Sequence, residues 1–560
     1  MTDSSLSDTP RYDRRRSSTR RPREGPFPDA RPLLIPNPEG IPKMINAAKR
    51  KVPDLIEGYG RVRHFAGAAA DIGEISRASV KVTPARPGSD KVLGSVGEAI
   101  SACGLADGMT ISFHHCLRNG DQVLNRVLEA VAEAGLRDMT VAATALFPVH
   151  APLVGHMEKG VVTGLYTNYL SGPVAEAVSR GVLKRPAVMQ THGGRVRAIE
   201  AGELPIDVAF VAASSCDAAG NMNGVEGPSA FGVMSYSQTD VRHARRTVAV
   251  TDHLVPHPTC PIEIGQEYVD YVVPVDRIGD AQGIVSGTTR VTEDPVGLGI
   301  AALAAGVVEA SGLMKEGFSF QTGAGRISLA VAACLREAMQ RKRIQGSFAS
   351  GGITAYTVEM LEEGLFRTLL DAQCFDLRAV ESFRTDPRHQ GMSIGMYGNP
   401  HNKGAVVNYL DVMILGATEI DRDFNVNVTT GSDGILMGGS GGHADTAAGA
   451  KLAIVVTRLS RKRYPAVVDR VTTVTTPGET IDVLVTEGGI AVNPRRQDLL
   501  ERLRDAGLPL VTIGELAEKA RGIAGVPEIP PWGERIVAVL EYRDGTVIDL
   551  VRQIRPSATG

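Results

Sequence analysis

The amino-acid sequence predicts an α/β protein made of two tandem domains, each with a mainly parallel sheet. Three observations lead there. From Asp107 onward, short apolar runs alternate with amphipathic stretches, the βαβ rhythm of a helix-covered parallel sheet. The chain also repeats itself. Asp207, Asp217, Asn221 and Asn223 in IDVAFVAASSCDAAGNMNG recur as Asp411, Asp421, Asn425 and Asn427 in LDVMILGATEIDRDFNVNV, and Gly160 recurs as Gly364, all at an offset of 204. Finally, 560 residues exceed what a single core usually supports.

In chain order, residues 1–40 form a basic arm with seven arginines between Arg11 and Arg23, too polar to fold alone. A lead-in segment over 41–99 begins with a helical stretch near 41–51. The first domain spans 100–310. DGMTISFHH reads as turn then strand. Val123, Leu124, Val127, Leu128 and Val131 have helical spacing, Gly135 ends that helix, and a strand follows from Met139. The apolar stretch 296–314 contains Glu309 and reads as a buried helix, not a membrane span. The second domain spans 311–525, and EGFSFQT at 316–322 answers DGMTISF at 107–113. It should end in a strand over 481–486 and a helix over 496–506. Residues 526–560 form a hairpin tail, with Asp544 and Gly545 supplying the positive φ angles of its turn.

Composition narrows the function. A net charge of −3 suggests no polyanionic partner, and no basic recognition helix precedes the α/β pattern, so nucleic acid is not expected. The six cysteines form no CxxC pair, and residues 1–30 hold no apolar core; together these point to a reducing cytoplasm without a secretory leader. Histidine spacing offers no metal motif, so no metal is expected: the adjacent His114 and His115 would face opposite sides of a strand.

The most distinctive stretch is 425–451, NVNVTTGSDGILMGGSGGHADTAAGAK, where six of the twelve residues from 431 to 442 are glycine. It reads as a glycine loop and short helix set between strands. Without Cβ atoms, the N–H groups of Gly438, Gly439, Gly441 and Gly442 can approach a ligand closely; the same glycines also suit tight turns. No Lys-Ser or Lys-Thr follows, which excludes a nucleotide-phosphate loop. His443 ends the loop and is a candidate ligand contact. Other candidate substrate contacts are His114 or His115 with Arg118 and Asn119, and His192 with Arg195. Asn402 and Lys403 suit either a contact with a phosphate-bearing ligand or a surface turn.

These segments carry a resemblance. Residues 437–451 and DVLVTEGGIAV at 482–492 look like segments of coenzyme A transferases. Most of the chain from Gly104 onward resembles the α subunits of citrate lyase, through DGMTISFHH, HGGRVRAIEAGELPIDVAF, SCDAAGNMNG, KEGFSFQTGAG, GGITA, FNVNVTTGSDGILMGGSGGHADTA and YRDGTVIDLV. The resemblance implies two coenzyme A transferase-like domains and a transfer in which citrate displaces acetate from a thioester on a small acyl carrier (γ) subunit. A separate lyase (β) subunit then cleaves the citryl thioester within an oligomeric complex. It implies no bound cofactor in this chain, which would act on the phosphoribosyl-dephospho-coenzyme A group of the carrier, or on coenzyme A. Where coenzyme A transferases carry a nucleophilic Glu, this chain reads Ala349-Ser350-Gly351-Gly352-Ile353. A serine there cannot form an acyl anhydride and then an enzyme thioester, which leaves direct attack by citrate in a ternary complex, with Gly351, Gly352 and the 438–442 loop as N–H donors. Asp433 and Glu487 are the alternative carboxylates. Glu487 follows a strand and is also a candidate substrate contact. A stand-alone transferase using free coenzyme A and a non-catalytic scaffold are the competing functions.

Overall fold

The computed structural model describes residues 43–80, 82–285, 291–323, 325–461, 463–526 and 528–555. The arginine-rich arm lies outside the described residues. Two large sheets dominate. The first has nine strands in the order Tyr271–Pro274, Arg246–Thr251, Val208–Ala213, Thr110–Phe113, Met139–Ala143, Val162–Thr167, Ala187–Met189, Trp532–Glu541 and Val547–Ile554. The second has eight, in the order His389–Gly391, Phe366–Cys374, Gly346–Ile353, Ser319–Thr322, Val412–Gly416, Leu452–Val456, Val483–Thr486 and Gly489–Val492. All neighbours are parallel except the closing pair of each sheet, which is antiparallel.

The two sheets share one topology. In each, the strand that comes first in the chain is central, the next three add outward on one side, and the following three parallel strands add on the other; 532–541 and 547–554 extend the first sheet on the former side, and 489–492 extends the second on the latter. The sequence repeat has a structural cause. Asp207 and Asp411 precede equivalent strands, and their Oδ2 atoms accept the N–H of Thr110 and Ser319, each at 2.9 Å, tying each strand to the central one. Asp217 Oδ1 accepts the N–H groups of Ala219, Gly220 and Asn221, and Asp421 Oδ1 accepts those of Asp423 and Asn425. Asn223 and Asn427 close the following turns through Oδ1. The shared residues therefore hold turns together; they are not a doubled reaction centre. Gly160 and Gly364 end equivalent helices at φ 70° and 73°.

Two local expectations are corrected. Within 41–51, the described residues form an antiparallel pair, Lys43–Ile45 with Lys51–Pro53, and no helix. Asn46 is the reason: its Oδ1 takes the Arg50 N–H, and its Nδ2 donates to the carbonyls of Val547 and Ile548, so the turn is pinned to the C-terminal hairpin. In the hairpin turn only Gly545 has positive φ, at 80°. Asp544 contributes through its side chain, whose Oδ1 accepts the Thr546 N–H at 2.9 Å. The hairpin is also no appendage, because residues 538–540 pair with 187–189 and cover an edge of the first sheet. The helix Pro295–Ala310 fills the expected buried position, capped by Asp294 on the Gly297 N–H. Among the described residues, no helix is long and apolar enough to cross a membrane.

Asp207→Ala and Asp411→Ala should each lower unfolding free energy by about 1–3 kcal/mol, because each leaves a buried strand N–H without its acceptor. Urea unfolding of the two variants checks this.

Candidate active site

Residues at the carboxyl ends of both sheets meet. His114 and His115 follow Thr110–Phe113, Asn168 follows Val162–Thr167, and Gln190 and Thr191 follow Ala187–Met189. The second half contributes Gln321, Ser350 and the glycine loop. The contact is backbone against backbone. Gly441 N–H donates to the Asn168 carbonyl at 3.2 Å, His192 N–H to the Gly441 carbonyl at 2.8 Å, and Leu170 N–H to the Gly438 carbonyl at 3.1 Å. A Cβ on Gly439 would sit 2.2 Å from the Asn168 carbonyl oxygen, and one on Gly442 would sit 2.2 Å from the Tyr397 hydroxyl. Gly439 is required where the two halves touch, and Gly442 makes room for Tyr397 of its own half. The N–H of Gly441 is committed to this seam, and that of Gly438 to the Thr429 carbonyl.

Asp445, fully buried, locks the seam. Its Oδ1 accepts the Thr191 hydroxyl and its Oδ2 accepts the Gly193 N–H, both at 2.9 Å, with Arg543 Nε 3.5 Å away. Burial raises the proton affinity of Asp445, and Arg543 opposes that rise. The helix His192–Glu200, N-capped by Thr191, is thereby fixed against the second half.

Beside the seam lies a cluster of imidazoles and phenols. His192 Nε2 is 3.1 Å from the Tyr236 hydroxyl, and the His115 and Tyr236 ring centroids are 4.4 Å apart. His115 and His192 stack with centroids 6.1 Å apart, and Tyr397 lies 6.5 Å from His192. Burial pushes His192 down to about 3 and His115 well below its ordinary value, so both rings are neutral at physiological pH. Tyr397 accepts from Gln321 Nε2 at 2.9 Å, and Gln321 Oε1 accepts the Ser350 hydroxyl at 2.9 Å. Ser350 stands, as the sequence implied, on the strand after the first helix of the second half. Gly351 and Gly352 clear space here: a Cβ on Gly351 (φ 100°) would strike the Gln321 side chain, and one on Gly352 the Phe375 ring.

Arg118 is the cation of the site. Its guanidinium lies 5.2 Å from the ring centre of Phe147 in the first half and 4.5 Å from that of Phe375 in the second. Among the described residues it has no carboxylate within salt-bridge distance. Its backbone is held at φ 51°, a left-handed conformation that costs a non-glycine residue about 1–3 kcal/mol. Burial lowers its proton affinity, but the guanidinium remains charged.

Other candidates lie apart from this cluster. Arg195 is committed to Asp240 through two 2.7 Å bonds, and His114 Nε2 lies 3.1 Å from the same carboxylate. Burial disfavours the Asp240 charge, yet the Arg195 guanidinium, with His114 beside it, holds it well below the usual carboxylate range. Both residues are therefore core partners and not free ligands. His443 has both ring nitrogens occupied, by the Thr476 hydroxyl at 2.7 Å and the Gly416 carbonyl at 2.9 Å. Asn402 shapes its own turn through Gly395 and Gly404, and Lys403 is exposed. Asn119 is exposed and accepts the Val149 N–H. Glu487 and Asp433 are exposed and accept backbone N–H groups of Leu459 and Ile435. One mixed cluster was not anticipated. Asp371, Cys374 and His389 are buried with their ligand atoms within 4.8 Å of one another. The Cys374 thiol and His389 Nε2 each lie 3.0 Å from Asp371 Oδ2, and burial keeps the thiol protonated, so the cluster is a hydrogen-bonded network.

Two sheets of one topology, joined at their carboxyl ends, define a coenzyme A transferase-like protein. Solved structures share that fold at low identity. A Pseudomonas malonate decarboxylase chain matches with TM-score 0.57 and 17% identity over 78% of this chain and 86% of its own. A 4-hydroxybutyrate CoA-transferase from Porphyromonas gingivalis matches with TM-score 0.51 and 18% identity over 77% and 98%. A Streptococcus mutans chain described as the α subunit of citrate lyase, solved in complex with citrate, matches with TM-score 0.88 and 46% identity over 91% of this chain and all of its own. The family model "Citrate lyase, alpha subunit" matches residues 89–554. The citrate lyase α chains of Klebsiella pneumoniae and Escherichia coli K12 are each 49% identical over 83% of this chain, covering 92% and 91% of their own lengths. The chain belongs to the citrate lyase α-subunit family.

Sequence reasoning missed Phe147, Tyr236, Gln321, Phe375, Tyr397 and Asp445. Asp445 lay inside the glycine-rich stretch and carried a legible signal: a carboxylate two residues after the loop. The aromatics carried none.

Gly439→Ala should destabilise the protein by about 1–3 kcal/mol, since its Cβ meets backbone that cannot yield cheaply. Gly522→Ala, in the helix Ile513–Ala524 with nothing within 4 Å, should be neutral or stabilising. Urea midpoints of the pair compare them. Stability should also fall in acid. His192 and His443 are depressed by burial to about 3 and about 4 from 6.5. Between 6.5 and those values the unfolded chain binds more protons than the folded one, so the stabilisation is complete above 6.5 and is lost as pH falls. Each histidine contributes a slope of about 1.4 kcal/mol per pH unit. His443→Asn should flatten the profile by one proton, as read from urea unfolding across that range.

Proposed function

We propose that this chain exchanges acetate for citrate on an acyl-carrier thioester, giving citryl thioester and free acetate, as the α subunit of a citrate lyase complex. The observation that carries the reading is Arg118: a half-buried guanidinium with no carboxylate partner among the described residues, between Phe147 and Phe375 at the junction of the two halves. A carboxylate-rich substrate supplies the partner it lacks, and a guanidinium binds carboxylate through two parallel hydrogen bonds.

Transfer proceeds directly. A citrate carboxylate oxygen attacks the thioester carbon, the C–S bond breaks, and thiolate leaves a mixed acetyl–citryl anhydride. The thiolate then attacks the citryl carbonyl carbon, and acetate departs. No ATP enters, because one thioester replaces another. Ser350, bonded to Gln321, supports this route, since it offers no carboxylate to form an acyl-enzyme. Positioning and hydrogen-bond stabilisation of the oxyanion supply the rate. The acyl group arrives on the phosphoribosyl-dephospho-coenzyme A arm of the γ subunit; a β subunit cleaves the product, and the complex works in the cytoplasm.

Acetate release from citrate plus acetylated carrier tests the reading, with acetyl-coenzyme A as the second donor; faster turnover of free coenzyme A would favour a stand-alone transferase. Arg118→Ala should raise the KM for citrate about tenfold to a hundredfold through loss of charge-assisted bonds. An unchanged KM would remove Arg118 from the site. Incubation with acetyl thioester alone, followed by hydroxylamine and peptide mass mapping, should leave every Glu and Asp unmodified. A modified carboxylate would restore a two-step route.

A further inference from the structure

The geometry points to Tyr236 as a catalytic residue of this transfer: its hydroxyl, held by neutral His192, donates a hydrogen bond to the thioester carbonyl oxygen as negative charge develops there. The inference rests on the transferase reading above and adds the group that stabilises its oxyanion.

The tautomer of His192 is the first step. Its Nδ1 is buried without a hydrogen-bond partner among the described residues, while Nε2 lies 3.1 Å from the Tyr236 hydroxyl. His192 is the first residue of the helix His192–Glu200, whose N-terminus presents positive potential. That field favours a bare lone pair on Nδ1 over an N–H, and it opposes a second proton on the ring. The single proton therefore sits on Nε2 and is donated to the Tyr236 oxygen. Tyr236 then cannot donate back to His192, and its O–H is free for another acceptor.

Position is the second step. Tyr236 is buried, with its ring against His115 and 5.1 Å from His192. The Arg118 guanidinium lies 5.2 Å from the Phe147 ring centre, and the His115 ring lies between Phe147 and Tyr236, with centroids 6.1 Å and 4.4 Å away, so a short chain of rings links the cation to the phenol. Burial keeps His115 neutral as well, and raises Tyr236 well above the ordinary phenol range. The hydroxyl thus stays protonated and acts as a donor. No proton changes owner in the step: the carboxylate oxygen bonds to the carbonyl carbon, the carbonyl electron pair moves onto oxygen, and collapse expels thiolate. Asp445 serves as a positioning residue, because it holds Thr191 and Gly193, on either side of His192.

Tyr236→Phe removes one oxygen from a packed aromatic site. In initial-rate assays with acetylated carrier and citrate, it should lower kcat about 10²–10³-fold, as loss of an oxyanion donor does. The KM for citrate should stay within about threefold, because the bond strengthens only in the transition state. His192→Asn should lower kcat in the same way. The double variant should be little worse than the worse single, since the two act as one unit. A Tyr236→Phe enzyme with kcat within about threefold of the parent would overturn the proposal, as would losses that multiply in the double variant. Thermal unfolding of each variant separates a lost donor from a lost fold: a drop in kcat matched by a collapsed transition counts against the catalytic role. If the unmutated chain releases no acetate from either donor, the transferase reading fails and this inference falls with it; an active parent with an equally active Tyr236→Phe contradicts the role of Tyr236 alone.

Discussion

The structure depends on one seam, where the backbone of the 438–442 loop lies directly on the strand ends around Asn168 and Thr191. Three backbone hydrogen bonds cross it, and at Gly439 no side chain fits between. Backbone contact of this kind tolerates little sliding, because every N–H and C=O withdrawn from water needs its partner. Asp445 adds a charge-assisted clamp on the same line. The seam therefore fixes how the carboxyl ends of the two sheets face each other, and with that the positions of His192, Tyr397, Ser350 and Phe375.

The chemistry follows from what the seam excludes. The imidazoles beside it are neutral because burial outweighs their basicity, and the phenols stay protonated for the same reason. Hydrogen-bond donors in a dry site act strongly on a developing oxyanion, since water does not compete. Arg118 is the exception, a cation left unpaired where the rest of the cluster is neutral. Its strained backbone shows that the fold maintains this placement at a cost. Among the described residues the fully buried cations are satisfied: Arg195 by Asp240, and Arg197 by Glu203.

Much of the architecture was legible because it is written in local grammar. The βαβ rhythm, the helix ends and the repeat of Asp207 in Asp411 each reflect a turn or strand tie that the chain must make wherever it folds. Ser350 was placed on its strand through the resemblance to coenzyme A transferases, at the position of their glutamate. The glycine loop was recognised, but the part Gly439 plays was not legible: an absent Cβ reads equally as a ligand cradle, a tight turn or a contact surface, and the Asn168 backbone it faces is distant in sequence. His114, Arg195 and His443 looked like ligands because their partners, Asp240, Gly416 and Thr476, are distant in sequence. Tyr236, Phe147 and Phe375 escaped notice for the converse reason: an isolated aromatic carries no spacing, and its role arises from neighbours that three-dimensional packing supplies. The segment after residue 41 went wrong because a turn anchored by Asn46 to strand residues some 500 positions away leaves no local trace.

The central claim is that acyl transfer at this junction passes directly between the two substrates. A single turnover with enzyme in excess, acetylated carrier and citrate carrying ¹⁸O in its carboxylates measures this. In direct attack, the citrate oxygen that forms the anhydride stays with the acetyl carbon when thiolate takes the citryl group. The released acetate should therefore carry one ¹⁸O atom, and the protein none. Unlabelled acetate in the first turnover, with ¹⁸O in a Glu or Asp side chain, would mean that the protein itself is the acyl acceptor and would contradict the account.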